Sequence, residues 1–197
     1  WATGQIRTIY HDECQYGYRQ SIFKNAWKGR FIILSVTYRL QKHFVPRLDY
    51  GNIRAELEKR LGADYEQHVT LPVLRQTVVD IRNSKLPDPK ILGNAGSFFM
   101  NPVISKDFYM LLEKAGFQLP FYEVDEERVK IPAGWLIDQC GWKGQRIGHV
   151  GVYEKQALIL VNHGGASGAE VVALSDTICK DVKEKFGITI KPEVIFV

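Results

Sequence analysis

The residues best equipped for chemistry stand close together, in Lys85-Leu-Pro-Asp-Pro-Lys90 and, just behind it, Gly93-Asn-Ala-Gly-Ser97-Phe-Phe-Met-Asn101-Pro102. Two prolines fix the approach of the chain, and two glycines let backbone come near a ligand. Lysines, a serine and an asparagine supply the polar groups. This mixture suits a small anionic ligand and a proton transfer. A serine hydroxyl is a poor acid in water, yet Ser97 can donate a proton to a carbanion-like centre formed directly beside it. Its plainer role is to close a turn. Glu193, flanked by Pro192 and apolar residues near the C-terminus, would be partly desolvated if it faces inward. The plainer role there is a charge that protects a sheet edge. Arg19, in Gly17-Tyr18-Arg19, offers a planar fork that meets a carboxylate with two donors, against the ordinary reading of a surface arginine.

These groups need elements to hold them. Gln5–His11 and Arg30–Leu40 read as strands from their β-branched and aromatic content, the second centred on Phe31-Ile-Ile-Leu-Ser-Val-Thr-Tyr. Asn52–Leu61 carries Ile53, Leu57 and Leu61 four apart, a helical stripe ended by Gly62. Thr70 can cap a second helix with Pro72 in its first turn. Lys85-Leu-Pro-Asp-Pro then stops helix, because residues before proline avoid the α region, and marks a domain boundary. Ser105 caps a helix through Phe108, Leu111, Leu112 and Ala115, closed by Gly116. Ala133–Cys140 is a short helix. Gly148–Tyr153 and Ala157–Asn162 read as a strand pair. Ser167-Gly-Ala-Glu170 has capping-box spacing for a long helix lined by Val171, Leu174, Ile178, Val182 and Phe186 and ended by Gly187. The last ten residues, Ile188 to Val197, read as a strand. The mixture predicts an α+β layout.

The bulk numbers exclude more than they identify. The 197 residues are 45% hydrophobic and 24% charged, an ordinary globular composition. The net charge of +4 comes from 26 basic and 22 acidic residues interleaved along the chain, so no nucleic-acid partner is expected. No apolar run reaches the ~18 residues of a membrane span, and no membrane partner is expected. Cys14, Cys140 and Cys179 are far apart and odd in number, which reads as reduced thiols in a cytoplasmic protein. The five histidines lack metal-ligand spacing, so no metal is expected.

Read in full, the Lys85–Pro102 wording resembles the substrate loop of the UDP-N-acetylenolpyruvoylglucosamine reductases, whose pattern is close to KLPDP-x(3)-GNAGSFFxNP. Three further segments agree in order: Glu13-Cys-Gln-Tyr-Gly-Tyr18-Arg19-Gln-Ser21-Ile-Phe-Lys24, Ala133-Gly-Trp-Leu-Ile-Asp-Gln139 and Lys191-Pro-Glu193-Val194. The resemblance implies an FAD-dependent, NADPH-consuming reduction of UDP-N-acetylglucosamine enolpyruvate to UDP-N-acetylmuramate in peptidoglycan synthesis. It implies Ser97 as proton donor, Glu193 as its helper and Arg19 as the group polarising the substrate carboxylate. Tyr50, Lys85, Asn101, Tyr122 and Gln156 would hold the UDP-sugar, and Arg82 would border the flavin. Tyr122, in Leu119-Pro-Phe-Tyr122, matches the branch with a tyrosine loop over the nucleotide. Gln20 stands where the family commonly has an acidic residue.

Family members also carry a long flavin-binding region whose glycine-rich phosphate loops have no match here. The resemblance therefore implies a C-terminal part: residues 1–86 the remainder of an α+β flavin domain, 87–187 a substrate-binding α/β domain, and 188–197 a return strand carrying the glutamate. FAD retention and turnover by this chain alone are not expected, and the full enzyme is expected to be a monomer. The competing expectation is a non-catalytic domain of the same architecture that binds a UDP-sugar or another anion.

Overall fold

The computed structural model describes residues 3–49 and 51–196, in two compact units, Trp1–Val45 and Pro46–Val197. The fold is α+β, and every ladder among the described residues is antiparallel.

In the first unit a short helix α1 (His11–Cys14) is followed by a 3-10 turn, Ile22–Lys24. Phe23, Trp27 and Phe31 cluster around that turn with ring centroids 5.0 to 6.2 Å apart, and Arg7 lies over Trp27 at 5.3 Å. The strands expected at Gln5–His11 and Arg30–Leu40 are not formed. The first stretch is irregular until His11 begins α1, and the second is irregular throughout. The reason is the non-local nature of a sheet. A strand-forming composition becomes a strand only beside a partner that takes its backbone groups, and no such partner lies among the described residues.

The second unit begins with three helices, α2 (Ile53–Leu61), α3 (Tyr65–His68) and α4 (Leu71–Lys85). Leu48, Ile53 and Leu57 form their core, packed by residues such as Leu74 and Ile81 of α4. The boundaries match the expected caps, Gly62 at φ 93° and Pro72 in the first turn of α4, although the Thr70 side chain makes no cap bond.

Beyond α4 come β1 (Gly93–Ser97), β2 (Phe99–Met100), β3 (Val103–Ser105), α5 (Lys106–Lys114), β4 (Tyr122–Glu123), β5 (Arg128–Lys130), α6 (Ala133–Gln139), β6 (Arg146–Ile147), β7 (Val150–Val152), β8 (Ile159–Asn162), α7 (Gly168–Phe186) and β9 (Lys191–Pro192). They form a four-stranded sheet in the order β1-β8-β7-β6, a three-stranded sheet β3-β5-β4, and a two-residue ladder β2-β9. Leu136 and Ile137 of α6, Leu174, Ile178 and Val182 of α7, and Val150 and Leu160 of the larger sheet share one core. This core and that of α2–α4 are separate clusters within the second unit.

Two expectations in this region are corrected. On α5 the buried residues are Tyr109 and Leu112, while Leu111 is 61% exposed, so the stripe is rotated from the expected one. The run after Gly187 is not a continuous strand. Only Lys191–Pro192 pairs, because Ile188 and Ile190 turn into the core and the ladder has room for two residues.

Candidate active site

Ser97 ends β1, and what places it is a bulge. Asn94 pairs with Val161 and Ser97 with Ile159, so Ala95 and Gly96 together oppose the single residue Leu160. Such an extra residue bends the strand and re-aims the side chain that follows. Gly96 takes φ +72°, which a side chain rarely adopts. Asn94 holds the bulge from both ends. Its Nδ2 donates to the Leu92 carbonyl at 2.9 Å and to the Pro87 carbonyl at 3.4 Å, and its Oδ1 accepts from the Gly96 N–H at 3.0 Å. The asparagine thereby ties the proline loop to the serine. Asp88 shapes that loop, accepting from the Lys90 N–H through Oδ1 and from the Ile91 and Leu92 N–H groups through its carbonyl.

Phe98 joins two ladders. Its N–H donates to Leu158 at 2.7 Å, and its carbonyl accepts from the Glu193 N–H at 2.8 Å. Glu193 therefore lies opposite Phe98, one residue from Ser97. A hydroxyl and a carboxylate far apart along the chain are thus brought onto neighbouring backbone. Ser97 is exposed and Glu193 half-buried, while Phe98 and Phe99 go into the core at 3% and 1% exposure.

The amide residues converge on the start of α6. Asn101 Oδ1 accepts from the Ala133 N–H at 2.9 Å, so its amide nitrogen is the end of the side chain suited to donate to a ligand. Gln156 Oε1 accepts from the Leu158 N–H at 3.3 Å and lies against Gly134, where a Cβ would stand 3.1 Å from it. Tyr122 belongs to the outer face of the three-stranded sheet, with the Lys130 ammonium 5.4 Å from its ring centroid. Its loop is pinned by Tyr109, whose ring packs on Phe121 at 4.8 Å. The Tyr109 hydroxyl donates to the Glu113 carboxylate at 2.9 Å and stands 3.1 Å from the Leu119 carbonyl oxygen. Burial first, and Glu113 second, push that phenol above its ordinary pKa. At the far end of the hairpin, hydrogen bonds from Arg128 hold Asp125 below the usual carboxylate range.

Arg82 and Lys85 are exposed cations in the last turn of α4, where a positive charge also suits the helix dipole. Lys85 is two residues from the Pro87 carbonyl that Asn94 holds. Tyr50 lies outside the described residues. Arg19 belongs to the first unit, at the tip of a tight turn in which Gly17 and Gln20 exchange backbone hydrogen bonds of 3.0 and 3.2 Å. It takes φ +56°, a strained conformation for a residue with a side chain, and strain of this kind gathers at functional sites. Lys24 Nζ donates to the Arg19 carbonyl at 3.3 Å and so ties the tight turn to the 3-10 turn that follows it. The residue whose part was missed is Asn94, which an Asx-turn signal in Gly-Asn-Ala-Gly announces. No group of His, Cys, Asp and Glu among the described residues could hold a metal ion.

Residues 88–197 match the family model described as UDP-N-acetylenolpyruvoylglucosamine reductase, C-terminal domain. Over 185 residues, 94% of this chain is 53% identical to a UDP-N-acetylenolpyruvoylglucosamine reductase of Bacteroides fragilis, and the match covers 54% of that protein. Proteins of the same name from Bdellovibrio bacteriovorus and Porphyromonas gingivalis are 48% and 46% identical, over 98% and 100% of this chain and 56% and 57% of their own lengths. The chain thus spans about half the length of these curated relatives. A crystal structure of the Thermus caldophilus reductase is similar at a TM-score of 0.38 and 25% identity, covering 63% of this chain and 34% of that one. With the family model covering more than half of its residues, the chain belongs to the UDP-N-acetylenolpyruvoylglucosamine reductase family.

Proposed function

We propose that this chain is the part of a flavin- and NADPH-dependent reductase that holds UDP-N-acetylglucosamine enolpyruvate and delivers the proton that completes UDP-N-acetylmuramate. The reaction belongs to peptidoglycan synthesis, and the working enzyme is a cytoplasmic monomer. The observation that supports this reading most is the pairing of Glu193 against Phe98, which brings a carboxylate to the backbone beside the Ser97 hydroxyl. In this reading Ser97 gives its proton to the carbon bearing the substrate carboxylate, and Glu193 assists that transfer. Arg19 holds the carboxylate and stabilises the negative charge that develops there. Lys85, Asn101, Gln156, Tyr122 and Tyr50 hold the UDP-sugar, and Arg82 borders the flavin. Residues 1–86 then belong to the flavin domain and 87–187 to the substrate domain, with Glu193 on the return segment 188–197.

A flavin would supply the hydride. Arg82, the residue given to it here, is a single exposed cation at the end of α4 and does not by itself make a cradle for it. Purified alone, the chain is expected to retain no stoichiometric flavin and to show negligible turnover.

The test joins the chain to the stretch that the Bacteroides fragilis reductase carries outside the match. Oxidation of NADPH driven by the enolpyruvyl substrate is then compared between wild type and Ser97→Ala. Removing a positioned proton donor is expected to slow that oxidation by roughly 10²–10⁴-fold. An undiminished rate would remove Ser97 from the role given to it here.

A further inference from the structure

Asn94 and Ser97 stand three positions apart in β1, and on a regular strand such a pair points to opposite faces of the sheet. Here they share a face. Asn94 pairs with Val161 and Ser97 with Ile159, and those two alternate residues of β8 lie on the same side. The extra residue of the bulge makes the difference, because one residue added to a ladder turns over every side chain beyond it. β1 is an edge of its sheet, so no second strand among the described residues keeps the bulge in place. A Cβ on Gly96 would meet nothing within 4 Å, so packing on that side does not hold its φ of +72°. What spans the bulge is the Asn94 amide, from the Leu92 carbonyl at 2.9 Å to the Gly96 N–H at 3.0 Å.

We infer that Asn94 is a positioning residue for the proton transfer: its amide keeps the extra residue in β1 and thereby keeps the Ser97 hydroxyl on the face from which it works. The inference rests on the proton-donor reading of Ser97 above. A hydroxyl is a weak acid, and it gives up its proton only to a centre within direct hydrogen-bond reach. Its placement therefore matters more than its acidity. A β1 that lost the bulge would carry Ser97 round to the other face, and a misplacement of even about 1 Å can cost roughly 10²-fold. The polar atoms of Asn94 are turned to backbone, Nδ2 towards the Leu92 and Pro87 carbonyls and Oδ1 towards the Gly96 N–H. The amide thus acts through the serine and not on the substrate.

The test uses the enzyme joined as above. Asn94→Ala is expected to lower kcat for NADPH oxidation driven by the enolpyruvyl substrate by roughly 10–100-fold, with KM within about threefold. Asn94→Ser, whose hydroxyl accepts from the Gly96 N–H more weakly, should lose less. The deciding comparison is with Ser97→Ala. Adding either Asn94 substitution to it should cost less than about twofold more, because no hydroxyl is left to position. In the chain alone, hydrogen exchange at the Gly96 amide should be about tenfold faster in Asn94→Ala than in wild type. Unchanged kcat or unchanged exchange overturns the inference. So does a further tenfold loss in the double variant, which would mean damage that does not pass through the hydroxyl. Should Asn94→Ala fail to fold, Asn94→Ser carries the same comparisons. A Ser97→Ala enzyme at the wild-type rate overturns the proton-donor reading itself, and the inference with it.

Discussion

Arg19 carries a strained backbone, which under the function proposed above would serve the substrate carboxylate. Its φ of +56° places a β-carbon where only glycine is comfortable, at a cost of roughly 1–2 kcal/mol. Glycine would remove that cost but lose about 0.5–1 kcal/mol through its freer unfolded chain. Arg19→Gly is therefore expected to stabilise the folded chain by about 0.5–1 kcal/mol in denaturant unfolding, and to lower turnover of the joined enzyme. A variant that both destabilises and leaves turnover intact would show that the arginine serves the turn alone. The residue types were legible here: a fork for a carboxylate, a hydroxyl, a carboxylate. The φ value was not, since nothing in Gly17-Tyr18-Arg19 says which residue carries the positive angle. Asn94 was hidden for a related reason. Its amide bonds to residues on both sides of a bulge, and the bulge exists only once β1 has found β8.

Among the elements, the capped helices α2 and α4 to α7 and the strand pair β7-β8 were readable, while α1, α3 and most of the other short strands were not. Helix ends are local: Ser105 Oγ accepts from Phe108 at 3.2 Å, and Ser167 with Glu170 closes a reciprocal box at the start of α7. A two-residue ladder such as β2-β9 has no local signature, because its pairing joins segments that the whole C-terminal fold lies between. The box on α7 also carries a pH dependence. Glu170 sits below the ordinary carboxylate pKa, first because it accepts from the Ser167 N–H and then from the Ser167 hydroxyl. A lowered folded value means the carboxylate stabilises the helix fully above the unfolded pKa of about 4.3, and that the contribution fades as acid carries the pH through the lower value. Thermal unfolding of wild type and Glu170→Gln should accordingly differ at neutral pH and converge in acid. A gap that widens in acid would reverse the sign argued here.

At the scale of the whole chain, the first unit displays apolar side chains that a finished sheet would cover. Ile32, Leu34, Val36, Tyr38 and Leu40 alternate along the segment and are 56–83% exposed. The β-branched and aromatic content of the segment was the reason for expecting a strand, and the exposure of these side chains is what an unmet pairing leaves behind. The chain alone should bind a hydrophobic dye and scatter light as its concentration rises. The pair Leu34→Lys and Val36→Lys should reduce both signals several-fold, and Ser35→Lys with Thr37→Lys should not. Equal effects from the two pairs would mean that the alternate face has no special part. The ladder that brings Glu193 to Phe98 has a further consequence, one of timing. During synthesis the serine loop leaves the ribosome well before the residues that complete it. A nascent chain therefore carries its hydroxyl without its carboxylate neighbour until the segment around Glu193 has also emerged.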